Sequence, residues 1–288
     1  MKQGIIVWVY AIRFLTARNV FAVSNCNIHN DKGTVMRQSY HQSAALILAL
    51  SSLGSGAAIA EPAAAGDWHF GIGTGISSFS LDGDLGFATP RGGFIRDIDL
   101  SNDETSDLVD SAMGANAIAS NGRWDILLSY GTVKLEDGNS DLEAEWDRTS
   151  GEFAVVYNFA QICNHTWGVL AGVRYTEHEW TITSPTGVFP KVTPDEDWTD
   201  GIVGLSHVMQ ISKHWMWRNR IDAGFGDTEE AYLAATALVW HPLDHWQFNL
   251  NAKYMSTDFG DDKDINDQDF YRYDVDETSF GIGGMFVW

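Results

Sequence analysis

The chain has 288 residues, with 39 acidic against 18 basic side chains, a formal charge of −21, 44% hydrophobic residues and two cysteines. That composition describes one sizeable domain. It excludes a nucleic-acid binder, because no cluster of Lys or Arg is present to neutralise a phosphate backbone. Twelve Trp and 28 Gly beside six Pro point instead to a sheet protein that meets an interface.

The chain opens with residues 1–35, where the apolar run from Ile5 to Ile12 is too short to span a bilayer and is broken by Arg13. We read this stretch as an N-terminal extension or a misassigned start. From Met36, Arg37 stands in a short polar stretch, Ala44 to Leu50 form an apolar run, and small residues end in Ala58-Ile59-Ala60. This is the pattern of a secretory signal peptide over 36–60, with cleavage after Ala60. A buried core helix is the competing reading, and Gly54, Gly56 and the serines weaken it. Processing removes five basic residues and one acidic, so the mature charge is 13 − 38 = −25. Cys26 leaves as well, and the lone Cys163 then offers neither a disulfide framework nor a metal site.

Residues 61–288 show two-residue alternation in place of helical periodicity. Trp246, Phe248, Leu250, Ala252 and Tyr254 alternate with Gln247, Asn249, Asn251 and Lys253. Trp124, Ile126, Leu128 and Tyr130 alternate with Arg123, Asp125, Leu127 and Ser129, and the stretches 153–159 and 215–225 repeat the pattern. Each such segment is a strand with one apolar and one polar face. Such strands fit either a soluble sandwich with its apolar face inward or a membrane barrel with its apolar face outward.

Tryptophan positions favour the barrel. Short turns fall at Asn121-Gly122, at 161–165, at Lys213-His214 and at 243–245, and Trp124, Trp167, Trp215, Trp240 and Trp246 flank them. With Trp68 at the first strand and Trp288 at the last residue, seven Trp lie at one level if those turns share one rim. That is an interface girdle. Longer acidic segments, 82–111, 136–143, 184–197 and 258–272, alternate with the short turns, and a shorter break at 226–229 belongs with them. The predicted fold is therefore a closed antiparallel up-and-down transmembrane β-barrel with strands near 68–80, 112–120, 122–135, 144–160, 166–182, 198–211, 215–226, 229–241, 246–258 and 273–288. Ten strands return both termini to the periplasm. Eight or twelve stay open, because 85–111 has little pattern.

The final segment runs from Val275 to Trp288 with Phe280, Ile282, Phe286 and Trp288 on its apolar register. It resembles the C-terminal signature of bacterial outer-membrane barrels, which implies that the barrel-assembly machinery reads it. Gly172-Val-Arg-Tyr175, Asp197 to Gly204 and Tyr271-Arg-Tyr-Asp-Val275 are similar to segments of small outer-membrane barrels of the OmpA and OmpW types. The resemblance covers about residues 66–288. It implies outer-membrane lipids and lipopolysaccharide as surroundings, a monomer, and no particular activity. Trp288 departs from the more usual terminal Phe.

For the lumen, the polar faces collect Arg123, Asp125, Glu152, Arg174, His178, Asp200, Arg218, Arg220, Asp222, Asn249, Asn251, Lys253 and Asp276. A narrow barrel is largely filled by its own side chains, so we expect a paired polar core; a small-solute channel is the alternative. Asp107 to Asp110 suggest a short helix, either folded into the lumen or on the surface. Asp262, Asp264 and Asn266 match three ligand positions of a calcium loop, but Asp267 and Tyr273 stand where Gly and Glu belong. An acidic, solvated loop is favoured over weak binding of Ca²⁺ or Mg²⁺, and no other cofactor is expected. His178, between Glu177 and Glu179, is the best candidate for a lipid-modifying enzyme. Its neighbours point to the other face, so only Asp200 on the next strand is placed to orient it. Gly204-Leu-Ser206-His207-Val208 lacks the last Gly of a nucleophile elbow. The reading is therefore a structural or surface barrel and not an enzyme.

Overall fold

The computed structural model describes residues 66–288 apart from 90–91, 139–142, 188–190, 261–263 and 268. The predicted extension and leader lie outside the described residues. Ten long strands form the wall: β1 (His69–Phe87), β3 (Val109–Ser120), β4 (Trp124–Gly138), β5 (Glu143–Ile162), β6 (His165–Thr183), β7 (Asp195–Ser212), β8 (Trp215–Gly226), β9 (Glu230–Leu243), β10 (Trp246–Phe259) and β11 (Tyr271–Val287). Consecutive strands pair antiparallel, and β1 pairs with β11 from Gly71↔Val287 to Phe87↔Tyr271, which closes the barrel. Backbone bonds between Phe70 and Trp288, at 2.9 and 3.0 Å, finish the seam.

One rim has tight turns. Asn121 Oδ1 accepts from the backbone N–H groups of Arg123 and Trp124, and Gly122 supplies the φ of 81° that this turn needs. Two-residue turns join β5 to β6, β7 to β8 and β9 to β10. Cys163, with φ 57°, stands in the first of these. It is disulfide-bonded in the unprocessed chain, whereas a lone thiol is expected only once the leader that carries Cys26 is removed.

The wall is not uniform. β3 pairs with β4 along its length but with β1 only from His69↔Ser120 to Gly73↔Asn116. Beyond that point the free edge of β1 is met by two elements from the first long connection. Strand β2 (Phe94–Leu100) pairs with β1 from Leu81↔Leu100 to Phe87↔Phe94. Helix α1 (Asn102–Leu108) covers the stretch between, where Thr105 donates its hydroxyl to the Phe79 carbonyl and Ser78 Oγ donates to Asn102 Oδ1 at 3.0 Å. The helix thus satisfies a strand edge that β3 leaves. It ends where the sequence pattern had it under way: Val109 and Asp110 belong to β3. It starts earlier because Ser101 and Glu104 form a capping box.

Side chains alternate as a barrel requires. Ile72, Ile76, Leu128, Phe153, Val173, Leu205, Ile221, Leu250 and Ile282 are exposed on the outside. Above this apolar band the outward positions turn acidic, with pairs such as Asp82↔Asp99, Asp82↔Asp276, Asp84↔Asp97 and Asp84↔Asp274 directly opposite one another.

Gly83 holds φ 145°, and a Cβ there would meet the Asp274 carbonyl at 2.1 Å. Gly83→Val should therefore open the β1–β11 seam at its outer end, at a cost of about 1–3 kcal/mol. The folded band of an unboiled detergent gel should be lost at lower temperature. Gly151→Ala, with only Ser129 O at 3.9 Å, should leave it unchanged. A second expectation concerns α1. The Ser101 hydroxyl, followed by its backbone N–H, holds the exposed Glu104 carboxylate below the usual Glu range. A lowered folded-state value stabilises above the unfolded value and is lost as pH falls through the folded one. Amide protection factors in α1 should fall on acidification, and Ser101→Ala should remove that dependence.

Candidate functional site

Inward side chains stack in three layers. Near the short-turn rim lie two apolar clusters, one of Ile118, Leu127, Ala154, Val156, Leu170, Ile202, Met285 and Val287 and another of Val208, Met216, Ala237 and Val239, with Asp125, Arg218, His241 and Gln247 buried at the same level. In the middle lie most of the charges. Near the long-loop rim Phe79, Leu81, Leu85, Leu135, Trp146, Trp198, Phe259, Tyr271 and Tyr273 form an aromatic layer.

The charged layer is balanced: five basic residues (Arg148, Arg174, Arg218, Arg220, Lys253) and five acidic (Asp125, Glu152, Asp200, Asp222, Glu277) are buried among the described residues. Glu152 binds Arg174 at 3.0 Å and Arg220 at 2.7 Å, and Asp222 binds the same two at 2.9 and 2.6 Å. This four-residue ring links β5, β6 and β8. A second group joins Glu277 to Arg148 and, at 2.5 Å, to Lys253. Asp125 interacts with Arg218 and accepts from Asn158 Nδ2 at 3.0 Å. Asp200 accepts from the Thr228 backbone and hydroxyl at 3.2 and 2.9 Å.

Two of the residues expected in the lumen are elsewhere. Arg123 is exposed in the β3–β4 turn, ahead of the strand, where it donates to Tyr157 Oη at 2.6 Å and lies over the ring. Asp276 is on the outer face, because Phe280 and Ile282 point outward and two-residue parity puts Glu277 inside. Glu277 was missed for that reason, although the parity of Phe280 was there to be counted; Arg148 was missed although it shares the face of Glu152 on β5.

His178 is fully buried in the aromatic layer. Its ring meets Trp146, Trp198 and Tyr273 edge-on at 4.7–5.0 Å, and Nδ1 lies 2.8 Å from Tyr271 Oη. Asp200, engaged with Thr228, does not orient it. Above this layer is a cavity of about 780 Å³ whose lining includes Leu81, Leu85, Phe94, Ile98, Leu100 and Leu108 on the β1–β2–α1 side and Leu135, Ala144, Trp146, Trp180 and Ile182 on the β4–β6 side.

The seven girdle tryptophans, Trp68, Trp124, Trp167, Trp215, Trp240, Trp246 and Trp288, are all exposed beside the short-turn rim. Trp215 stacks on Trp240, and Phe286 on Trp288, at about 6 Å. A second ring went unseen in the sequence. Tyr175 and Tyr254 stand eight residues beyond Trp167 and Trp246, and Tyr232 eight before Trp240, with Tyr130 at a similar height. Nine residues inclusive is what a tilted strand needs to cross a bilayer core, about 9–11. Phe280, Ile282, Phe286 and Trp288 share the outer face of β11.

In the loop after β10, Asp264 Oδ1 accepts from the Asn266 backbone and side-chain amide at 2.9 and 2.8 Å, and these bonds hold it below the usual carboxylate range. Asp262 lies outside the described residues. No group of three metal-ligating side chains occurs among the described residues.

No protein-family model and no curated protein sequence matches the chain. Among solved structures it is similar to the outer-membrane protease OmpT of Escherichia coli, at 9% identity and a TM-score of 0.41 over 78% of this chain and 97% of that one. The translocator domain of the autotransporter NalP from Neisseria meningitidis gives 11% and 0.42 over 81% and 90%. Ail, the attachment invasion locus protein of Yersinia pestis, gives 9% and 0.30 over 77% and 99%.

Removing one member of the Glu152 ring strands buried charge. Glu152→Leu should lower stability by about 3–5 kcal/mol in a urea titration, and Glu152→Leu/Arg220→Met should recover part of that loss, because the pair leaves together.

Proposed function

We propose that this barrel resides in the outer membrane of a Gram-negative bacterium, reaches it through a cleaved leader, and serves there as a closed structural or surface-facing protein. The band between the tryptophan and tyrosine rings supports the membrane setting, and the acidic long connections suit the cell-surface rim. Outer-membrane lipids and lipopolysaccharide are then its neighbours. The barrel-assembly machinery reads the outward Phe280, Ile282, Phe286 and Trp288. It works as a monomer, without nucleic acid or cofactor.

The observation that carries the closed lumen is the balanced set of five cations and five anions buried in it, packed against apolar clusters toward both rims. An ion entering would have to displace paired charges that are packed among apolar side chains. A small-solute channel is disfavoured on the same ground. A hydrolytic role for His178 is disfavoured because its ring nitrogen engages Tyr271 and its surroundings are aromatic.

Conductance in planar bilayers tests this. The refolded protein should give no regular current steps. Changing Glu152, Arg174, Arg220 and Asp222 together to Ser should produce small ones, which shows that the assay detects an opened lumen. Regular steps from the unaltered chain would overturn the closed reading.

A further inference from the structure

We propose that the cavity in the outer mouth binds a long-chain carboxylate, with the chain among its apolar walls and the headgroup on Arg96. The cavity's volume, about 780 Å³, lies within the range of small-molecule pockets, about 300–1,000 Å³. Most of its lining residues are aliphatic or aromatic, and the charged ones gather around the opening. Tyr273 and Trp146 are among the aromatic residues that line it. Water gains little in such a space, and an alkyl chain gains burial.

The headgroup follows from the charges around the opening. Five charged residues line it: Arg96, Asp97, Asp99, Glu136 and Asp137. Asp97 and Asp99 pair with Asp84 and Asp82, so their side chains take the outer face of β2. Glu136 is held by Lys134 at 2.8 Å. Arg96 pairs with Leu85, an inward residue of β1, and so faces the cavity. Asp137, opposite Ala144, faces it from β4. Arg96 has no ion-pair partner among the described residues, in a chain with 21 more acidic than basic side chains. A guanidinium offers a planar fork of donors, and a carboxylate fills it with two parallel hydrogen bonds. Asp137 opposes an anion there and sets a limit on affinity.

The site needs only the outer mouth, so it is independent of whether the lumen below conducts. The test uses the full chain in lipid nanodiscs with a diazirine-bearing dodecanoate, its alcohol and its amine, mapped by mass spectrometry. Saturable labelling within segments 81–100 and 135–146 is expected for the carboxylate. It should be about tenfold weaker for the alcohol, as loss of a charge-assisted bond predicts. Arg96→Gln should remove the preference for the carboxylate over the alcohol, and Asp137→Asn should strengthen it. Ala144→Trp should abolish labelling by filling the cavity. Leu100→Trp is a second filler should the first fail to fold, which the gel shift on heating reports. Labelling that never saturates and falls only on lipid-facing residues, equal labelling by alcohol or amine, or labelling untouched by both fillers would each overturn the assignment.

Discussion

In hydrocarbon a strand cannot leave its backbone hydrogen bonds unmade, and the rest of this molecule follows from how that constraint is met. Pairing of β1 with β11 over 71–87 and 271–287 removes one pair of edges. The other edge of β1 is divided: β3 takes its inner end, β2 its outer end, and α1 the span between. That division explains why the first long connection is structured. Thr105 gives the Phe79 carbonyl a donor from within the fold.

The interior solves a different problem. Ten strands enclose more space than small apolar side chains fill, and long Arg and Lys side chains reach across it. They bring charge that must be matched, hence the five-to-five balance. Such pairs contribute little net stability over well-packed apolar residues, so their role is to fill and fix the lumen. The chain's acidic excess is displaced to the outer surface, where Asp82 and Asp84 face Asp97 and Asp99 on one side and Asp276 and Asp274 on the other. Like charges opposite one another weaken a strand pair. At these positions water and salt screen them, and β2 pairs with β1 alone among the described strands.

The alternation of β4, β8 and β10, the short turns and the tryptophans beside them made the barrel and its ten strands legible, because each is a local pattern with a period of two. The extension of β1 to Phe87, β2, and the start of α1 were not. Their partners are set by where β3 stops pairing, which is a non-local fact. For the lumen, Asp125, Arg174, Asp200, Arg218, Arg220, Asp222 and Lys253 were readable from parity, and all are buried. Arg123 was misplaced because a turn resets parity. Asp276 was misplaced by a miscount on β11. Trp146, Trp180 and Trp198 resemble the girdle tryptophans in sequence yet line the interior, since the same residue type serves a belt on one parity and a core on the other.

Strand length gives these layers their meaning. β5, β6 and β7 run for 18–20 residues, about twice what a bilayer core requires. On β6 the interval from Trp167 to Tyr175 accounts for the inner half. The outer half is spared the demand for an apolar exterior, so its outward positions turn acidic while its inward positions, freed from packing a narrow lumen, become aromatic and leave space between them. A barrel that had only to anchor itself would not need that second half. The extra length builds a walled chamber beyond the aromatic rings, with β2 and α1 as one of its sides.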